Sequence, residues 1–183
     1  MQNICMRLKK LMRALKLKSD NIILTGFMGS GKSTIGRILA KEMNSYFLDT
    51  DMLIENFENR SISEIFSTDG EEVFREMERR CFEWIKNSVK HTIISVGGGF
   101  PVYIPEIKEA GIVVYLKVEF EDIVGRMNDE EIKKRPLFQD IVKAKELYET
   151  RDKVYSSLAD VIIENKNMEV TIEKIKEYYE SKQ

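Results

Sequence analysis

The run Gly26-Phe27-Met28-Gly29-Ser30-Gly31-Lys32-Ser33-Thr34 holds the residue types best suited to gripping phosphate. It fits G-x-x-x-x-G-K-[ST], a loop whose backbone N–H groups cradle phosphates, whose lysine reaches the outer phosphates and whose hydroxyl ligates magnesium. Gly29, Ser30, Gly31, Lys32, Ser33 and Thr34 are therefore the expected nucleotide contacts. Two further groups could act on what the loop holds. Asp49 and Asp51 form a carboxylate pair, and Gly97-Gly98-Gly99 is a patch of bare backbone. A carboxylate can orient or deprotonate an acceptor hydroxyl. Three successive glycines do not serve packing; they let backbone pass close to a ligand or to another segment.

The elements that must position these groups are legible in the hydrophobic pattern. Ile22-Ile23-Leu24 reads as a strand ahead of the loop, and Lys32 to Met43 reads as a helix with Ile35, Ile38 and Leu39 on one stripe. Strand, loop and helix thus place a bound anion at a helix N-terminus. Tyr46-Phe47-Leu48, Thr92 to Val96, Ile112 to Leu116 and Val161-Ile162-Ile163 are four more strand candidates separated by helical or loop sequence. Such near-continuous apolar strands predict an α/β fold of three layers, a five-stranded parallel sheet with helices on both faces. Ligands in open sheets of this kind bind beyond the carboxyl ends of the strands. The phosphate loop, the aspartate pair and the glycines each follow a strand, so all three fall on one edge, an arrangement suited to phosphoryl transfer from ATP to a small acceptor.

That chemistry needs charge neutralised on the moving group and an acceptor held in line. Lys32 and a magnesium ion on Ser33 meet the first need. The position after Val96, where such folds usually carry a second acidic magnesium contact, is Gly97, which leaves Asp49 as the candidate. Arg135 lies in the charged stretch Asn128 to Pro136 and could close over the phosphates; a lid is expected at about 128–140. Ser61 to Glu64 resembles a capping box, and Asp69-Gly70 precedes a long helix to about Val89, with Val73, Met77, Cys81 and Trp84 inward and Arg75 and Glu78 roughly opposite. A later helix carries Arg151 within an inward stripe of Leu147, Tyr148, Val154, Tyr155 and Leu158, where a structural ion pair and a ligand account for it equally.

Composition sets outer bounds. The chain of 183 residues suits one domain, expected over residues 20–183, and its formal net charge of -2 argues against a dedicated nucleic-acid binder. No apolar run approaches membrane-spanning length. The single histidine, His91, excludes histidine-cluster metal sites, and the two cysteines provide no disulfide framework, so a reducing cytoplasm is expected. A monomer is expected as well. Residues 1–19 form a basic amphipathic stretch, with Ile4, Leu8, Leu11 and Leu15 at helical spacing and six cations without an acid. A membrane-surface or partner-binding role, a targeting presequence, a packed helix and a frayed extension all remain open for it.

Taken together, GFMGSGKST, LDTD (Leu48 to Asp51), Ser61 to Glu78, SVGGG (Ser95 to Gly99), RPL (Arg135 to Leu137) and Arg151 resemble the shikimate kinase family, from about Asn21 to the last helix. The resemblance implies a nucleoside monophosphate kinase-like fold and transfer of the ATP γ-phosphoryl group to the 3-hydroxyl of shikimate. It implies that Asp51 holds the acceptor hydroxyls and acts as base, that Arg75 and Arg151 pair with the shikimate carboxylate, and that Gly97, Gly98 and Gly99 lie along the substrate. It further implies that Lys32 and Arg135 serve the phosphates, that Ser33 ligates Mg2+ with Asp49 acting through its water shell, that Phe66, Phe74 and Glu78 wall and support the pocket, and that Arg126 stacks on adenine. The loop Glu164 to Asn167 departs from the family by lacking a proline soon afterwards. Two rival readings are a related kinase acting on gluconate or a nucleotide, and a non-catalytic nucleotide-binding interaction module.

Overall fold

The computed structural model describes residues 20–126 and 136–182. Five parallel strands form one sheet in the order β2-β3-β1-β4-β5, with β1 at Ile22–Thr25, β2 at Tyr46–Asp49, β3 at Thr92–Ser95, β4 at Ile112–Lys117 and β5 at Val161–Glu164. Central β1 and β3 are buried along their whole length, as their unbroken apolar runs require, whereas Tyr46 on edge strand β2 and Ile162 on edge strand β5 reach solvent. Successive side chains alternate between faces. Ile22, Leu24, Ile93 and Val114 pack into one layer, and Ile23, Ile94 and Val113 into the other. Each fully buried Ile or Leu contributes about 1.5–3 kcal/mol through apolar burial.

Eight α-helices lie among the described residues: α1 Lys32–Glu42, α2 Thr50–Glu58, α3 Ile62–Thr68, α4 Glu71–Ser88, α5 Phe100–Tyr103, α6 Phe120–Arg126, α7 Ile141–Leu158 and α8 Met168–Glu180. Helices α1 and α8 cover one face of the sheet; α2, α3, α4 and α5 pack over the other. Helix α1 reaches the sheet closely because Gly36 faces Phe47: a Cβ there would stand 2.4 Å from the ring. Local side-chain signals start several helices, the Ser61 cap as expected. Ser61 and Glu64 complete a reciprocal capping box on α3, and Asn167 caps α8. Asn21, fully buried at the base of β1, donates to the carbonyls of Val89 and Ala110 and accepts from the Thr92 amide, tying the strand bases together.

Three expectations change. The aspartate pair does not simply end a strand: Asp49 caps α2 through its carboxylate, and Asp51 occupies the first turn of that helix. On α4, Glu78 is not opposite the buried face but is itself buried, at 1% exposure, because it turns to meet Arg75 at the pocket wall. Trp84, placed inward by its spacing, is 46% exposed, since Cys81, Phe82 and Ile85 fill the interface beside it. Phe138, in the turn Pro136–Gln139, is buried against Phe27 and Phe120.

Candidate active site

The phosphate loop joins β1 to α1. Gly29 and Gly31 adopt positive φ of 83° and 89°, a conformation that side chains resist, and Gly31 caps α1 without any side-chain bond. Helix α1 thus starts directly at the loop, and the first amides of a helix favour an anion there. Lys32 folds over the loop, its Nζ donating to the carbonyls of Gly26 at 2.8 Å and Phe27 at 3.1 Å. Ser30 is buried behind the loop, and Thr34 is exposed on α1.

The Ser33 hydroxyl donates to Asp49 Oδ2 at 2.9 Å, while Asp49 Oδ1 accepts from the amides of Asp51 and Met52. Two hard oxygen donors thus converge below the phosphate position. Among the described residues no cluster of three or more His, Cys, Asp or Glu could hold a metal. The donor set therefore fits Mg2+, which keeps most of its waters and binds through few protein oxygens plus substrate phosphates, and does not fit a protein-caged ion.

The three glycines close the other side, each against a different charged side chain. A Cβ on Gly97 would lie 2.6 Å from Asp51 Oδ1, one on Gly98 would lie 3.1 Å from Arg151 Nη1, and one on Gly99 would lie 2.6 Å from Arg75 Nη1. Tyr155 donates to the Gly98 carbonyl at 2.6 Å and the Gly97 amide donates to Thr50 Oγ1 at 3.2 Å, which fixes the peptide planes. Asp51 Oδ1 is buried with no partner among the described residues. Burial, then the charges of Asp49 and Glu78, raise the Asp51 carboxyl from its ordinary value near 3.8 to about 6, against the pull of Lys32.

Arg75 is held from several sides. Its Nη1 meets Glu78 at 2.6 Å, its Nη2 meets Glu71 at 2.7 Å, and its guanidinium lies near the rings of Phe66, Phe74 and Tyr103. Burial raises the carboxyl of Glu78, with Arg75 opposing that shift. Phe66 and Phe74 pack with centroids 4.9 Å apart and rings tilted by 43°, and form the wall beside Arg75. Arg151 has no carboxylate at ion-pair distance among the described residues; it lies beside Gly98 and over the ring of Phe27, 5.9 Å from its centroid. Among the described residues, then, no structural ion pair accounts for it.

Arg126 and the phosphate loop are linked by a residue that sequence reasoning did not single out. Buried Asn165 donates from Nδ2 to the Ser30 carbonyl at 2.8 Å, accepts from Thr171 at 3.1 Å and, through its own carbonyl, accepts from Arg126 at 2.9 Å. Only its place just after β5 hinted at this. Arg126 thus lies at the loop after β5, while Arg135 falls outside the described residues. Cys81 is no nucleophile: burial pushes its thiol up to about 12. A separate cavity of about 340 Å³ opens between α2 and α4, lined by Leu53, Phe57, Met77, Cys81 and Trp84 among others, and includes none of the phosphate-loop residues.

A phosphate loop after β1, a carboxylate raised toward neutrality and two arginines over bare backbone define a P-loop kinase of small molecules. The shikimate kinase family model matches residues 28–180, and the chain belongs to that family. It is 44% identical to the shikimate kinase of Helicobacter hepaticus over 79% of this chain and 86% of that protein. It is 42% identical to that of Clostridium botulinum strain Okra over 87% and 96%. Among solved structures, shikimate kinase from Acinetobacter baumannii in complex with shikimate superposes with a TM-score of 0.80 at 32% identity, covering 93% of this chain and 98% of that one. A gluconokinase from Sinorhizobium meliloti shares the fold alone, at 13% identity and a TM-score of 0.55.

Proposed function

We propose that this protein transfers the γ-phosphoryl group of ATP to the 3-hydroxyl of shikimate, giving shikimate 3-phosphate on the route to chorismate. The observation that carries the reading is the glycine run, in which consecutive peptides face Asp51, Arg151 and Arg75 in turn. An acceptor with a carboxylate at one end and hydroxyls at the other matches that order of charges.

Arg75 and Arg151 grip the carboxylate, and the fork geometry of guanidinium suits such a bidentate grip. Asp51 accepts the proton of the attacking hydroxyl. A carboxyl with a value of about 6 is ionised at neutral pH yet more basic than an ordinary aspartate, which suits it to that transfer. Lys32 and the first amides of α1 stabilise the charge spread over the transferring group, and Arg135 serves the same phosphates. Ser33 and, through water, Asp49 hold Mg2+. When bound, that ion neutralises the phosphate oxygens and orients them. Gly97 and Gly99 let the acceptor ring approach backbone, Phe66 and Phe74 exclude water along one wall, and Glu78 holds Arg75 in register. Arg126 stacks on adenine. The family likeness supports the ATP and shikimate assignments. This reading takes the protein to work as a cytoplasmic monomer.

The test is a coupled assay measuring ADP release with ATP, Mg2+ and a panel of shikimate, gluconate and nucleoside monophosphates. Turnover confined to shikimate is expected; turnover of gluconate or a nucleotide with none on shikimate overturns the assignment.

A further inference from the structure

Arg75 has five N–H donors, and only three of them are engaged among the described residues. Nε and Nη2 donate to Glu71 Oε1 at 3.1 and 2.7 Å, and Nη1 donates to Glu78 Oε2 at 2.6 Å. One donor therefore remains on each terminal nitrogen, the number a bidentate grip on a carboxylate uses. Those two point usefully only if the guanidinium plane is fixed.

Tyr103, the last residue of α5, supplies that constraint. Its ring lies face-on to the guanidinium, with Cζ 4.0 Å from the ring centroid, nearer than the rings of Phe74 at 5.3 Å or Phe66 at 5.9 Å. Its hydroxyl donates to Glu71 Oε1 at 3.1 Å, the same oxygen that Arg75 engages. The backbone beneath it is fixed as well, because Arg79, one helical turn beyond Arg75, donates to the Tyr103 carbonyl at 2.8 Å. Gly99 leaves room for the guanidinium, since a Cβ there would overlap Nη1. The cation is thus confined between a ring and bare backbone, with one carboxylate on each flank.

We propose that Tyr103 is a positioning residue for acceptor binding. Its ring sets the plane of the Arg75 guanidinium, and its hydroxyl keeps Glu71 on the side of Nε, so that the last two donors stay directed at the acceptor's carboxylate. The inference rests on Arg75 acting as the carboxylate clamp. Tyr103 touches no reacting atom.

Steady-state kinetics of full-length Tyr103→Leu, Tyr103→Phe and Arg75→Ala, with thermal melting of each, test it. Tyr103→Leu is expected to raise the KM for shikimate about fivefold, in line with the loss of one partly exposed cation–π contact, with the KM for ATP and the melting temperature little changed. Tyr103→Phe keeps the ring and restores most of the loss. If Arg75→Ala raises the shikimate KM while Tyr103→Leu leaves it alone, Tyr103 has no positioning role. An equal rise in both KM values with a lower melting temperature makes it merely structural and also overturns the proposal. If Arg75→Ala leaves the shikimate KM unchanged, the clamp itself is wrong, and the role of Tyr103 falls with it.

Discussion

Replacing Asp51 with asparagine separates what this carboxylate does for catalysis from what it costs the fold. The folded-state value of about 6 lies above the ordinary 3.8, so the native state binds this proton more readily than the unfolded chain does. The charged form therefore destabilises the native state fully above about pH 6, and the penalty fades as pH falls toward 4. A gap of about two units corresponds to about 3 kcal/mol. Asp51→Asn removes the charge at nearly constant shape, although its amide must itself find room beside Gly97, so a net gain of about 2 kcal/mol is expected near pH 8. For a chain of this length that raises the melting temperature by roughly 4–8 °C. Near pH 4.5 the two proteins should melt together. Turnover should fall by about a hundredfold or more, the usual contribution of a general base, and the wild-type rate should itself decline below about pH 6. Scanning fluorimetry across pH and the coupled assay read both effects. Wild-type turnover in the asparagine variant would remove Asp51 from the proton transfer. An asparagine variant less stable than wild type near pH 8, or an offset that ignores pH, would show that the carboxylate is not desolvated as its setting against Gly97 requires.

Three other substitutions probe separate parts of the site. Lys32→Ala should lower kcat by about a hundredfold or more, the scale of losing one charge-stabilising donor, and an unchanged kcat would break the phosphate-loop assignment. Arg151→Ala should raise the KM for shikimate about tenfold or more while ATP binding, followed by calorimetry, stays near normal; Arg151→Lys should not rescue it, because the planar fork is lost. Asn165→Ala strips partners from the Ser30 carbonyl and from Thr171. It should cost about 1–3 kcal/mol of stability, measured by denaturant titration, and should raise the KM for ATP more than that for shikimate.

The parts of the site that were legible in the sequence are those whose geometry is local. The phosphate loop, the Ser61–Glu64 cap and the strands β1, β3 and β4 depend on residues adjacent in the chain, so spacing alone placed them. Glu78 was misjudged because its charge suggested solvent and the stripe was drawn through Val73, Met77, Cys81 and Trp84, whereas the buried face runs through Phe74, Glu78, Cys81, Phe82 and Ile85; the charge is met there by Arg75, which lies against Tyr103 and Gly99. Asn165 went unremarked because its partner Ser30 lies 135 residues away. Helix α2 was hidden by the strand just before it, with Asp49 ending the one and capping the other.

Trp84 is the only tryptophan in the chain and stands half in solvent on α4, the helix that bears Arg75 nine residues earlier, about 13 Å along the axis. The molecule therefore carries a built-in optical reporter whose emission colour follows its contact with water. Any tilt of α4 against α2 as the acceptor settles would register there without a dye, a label or a second enzyme, and in the absence of turnover.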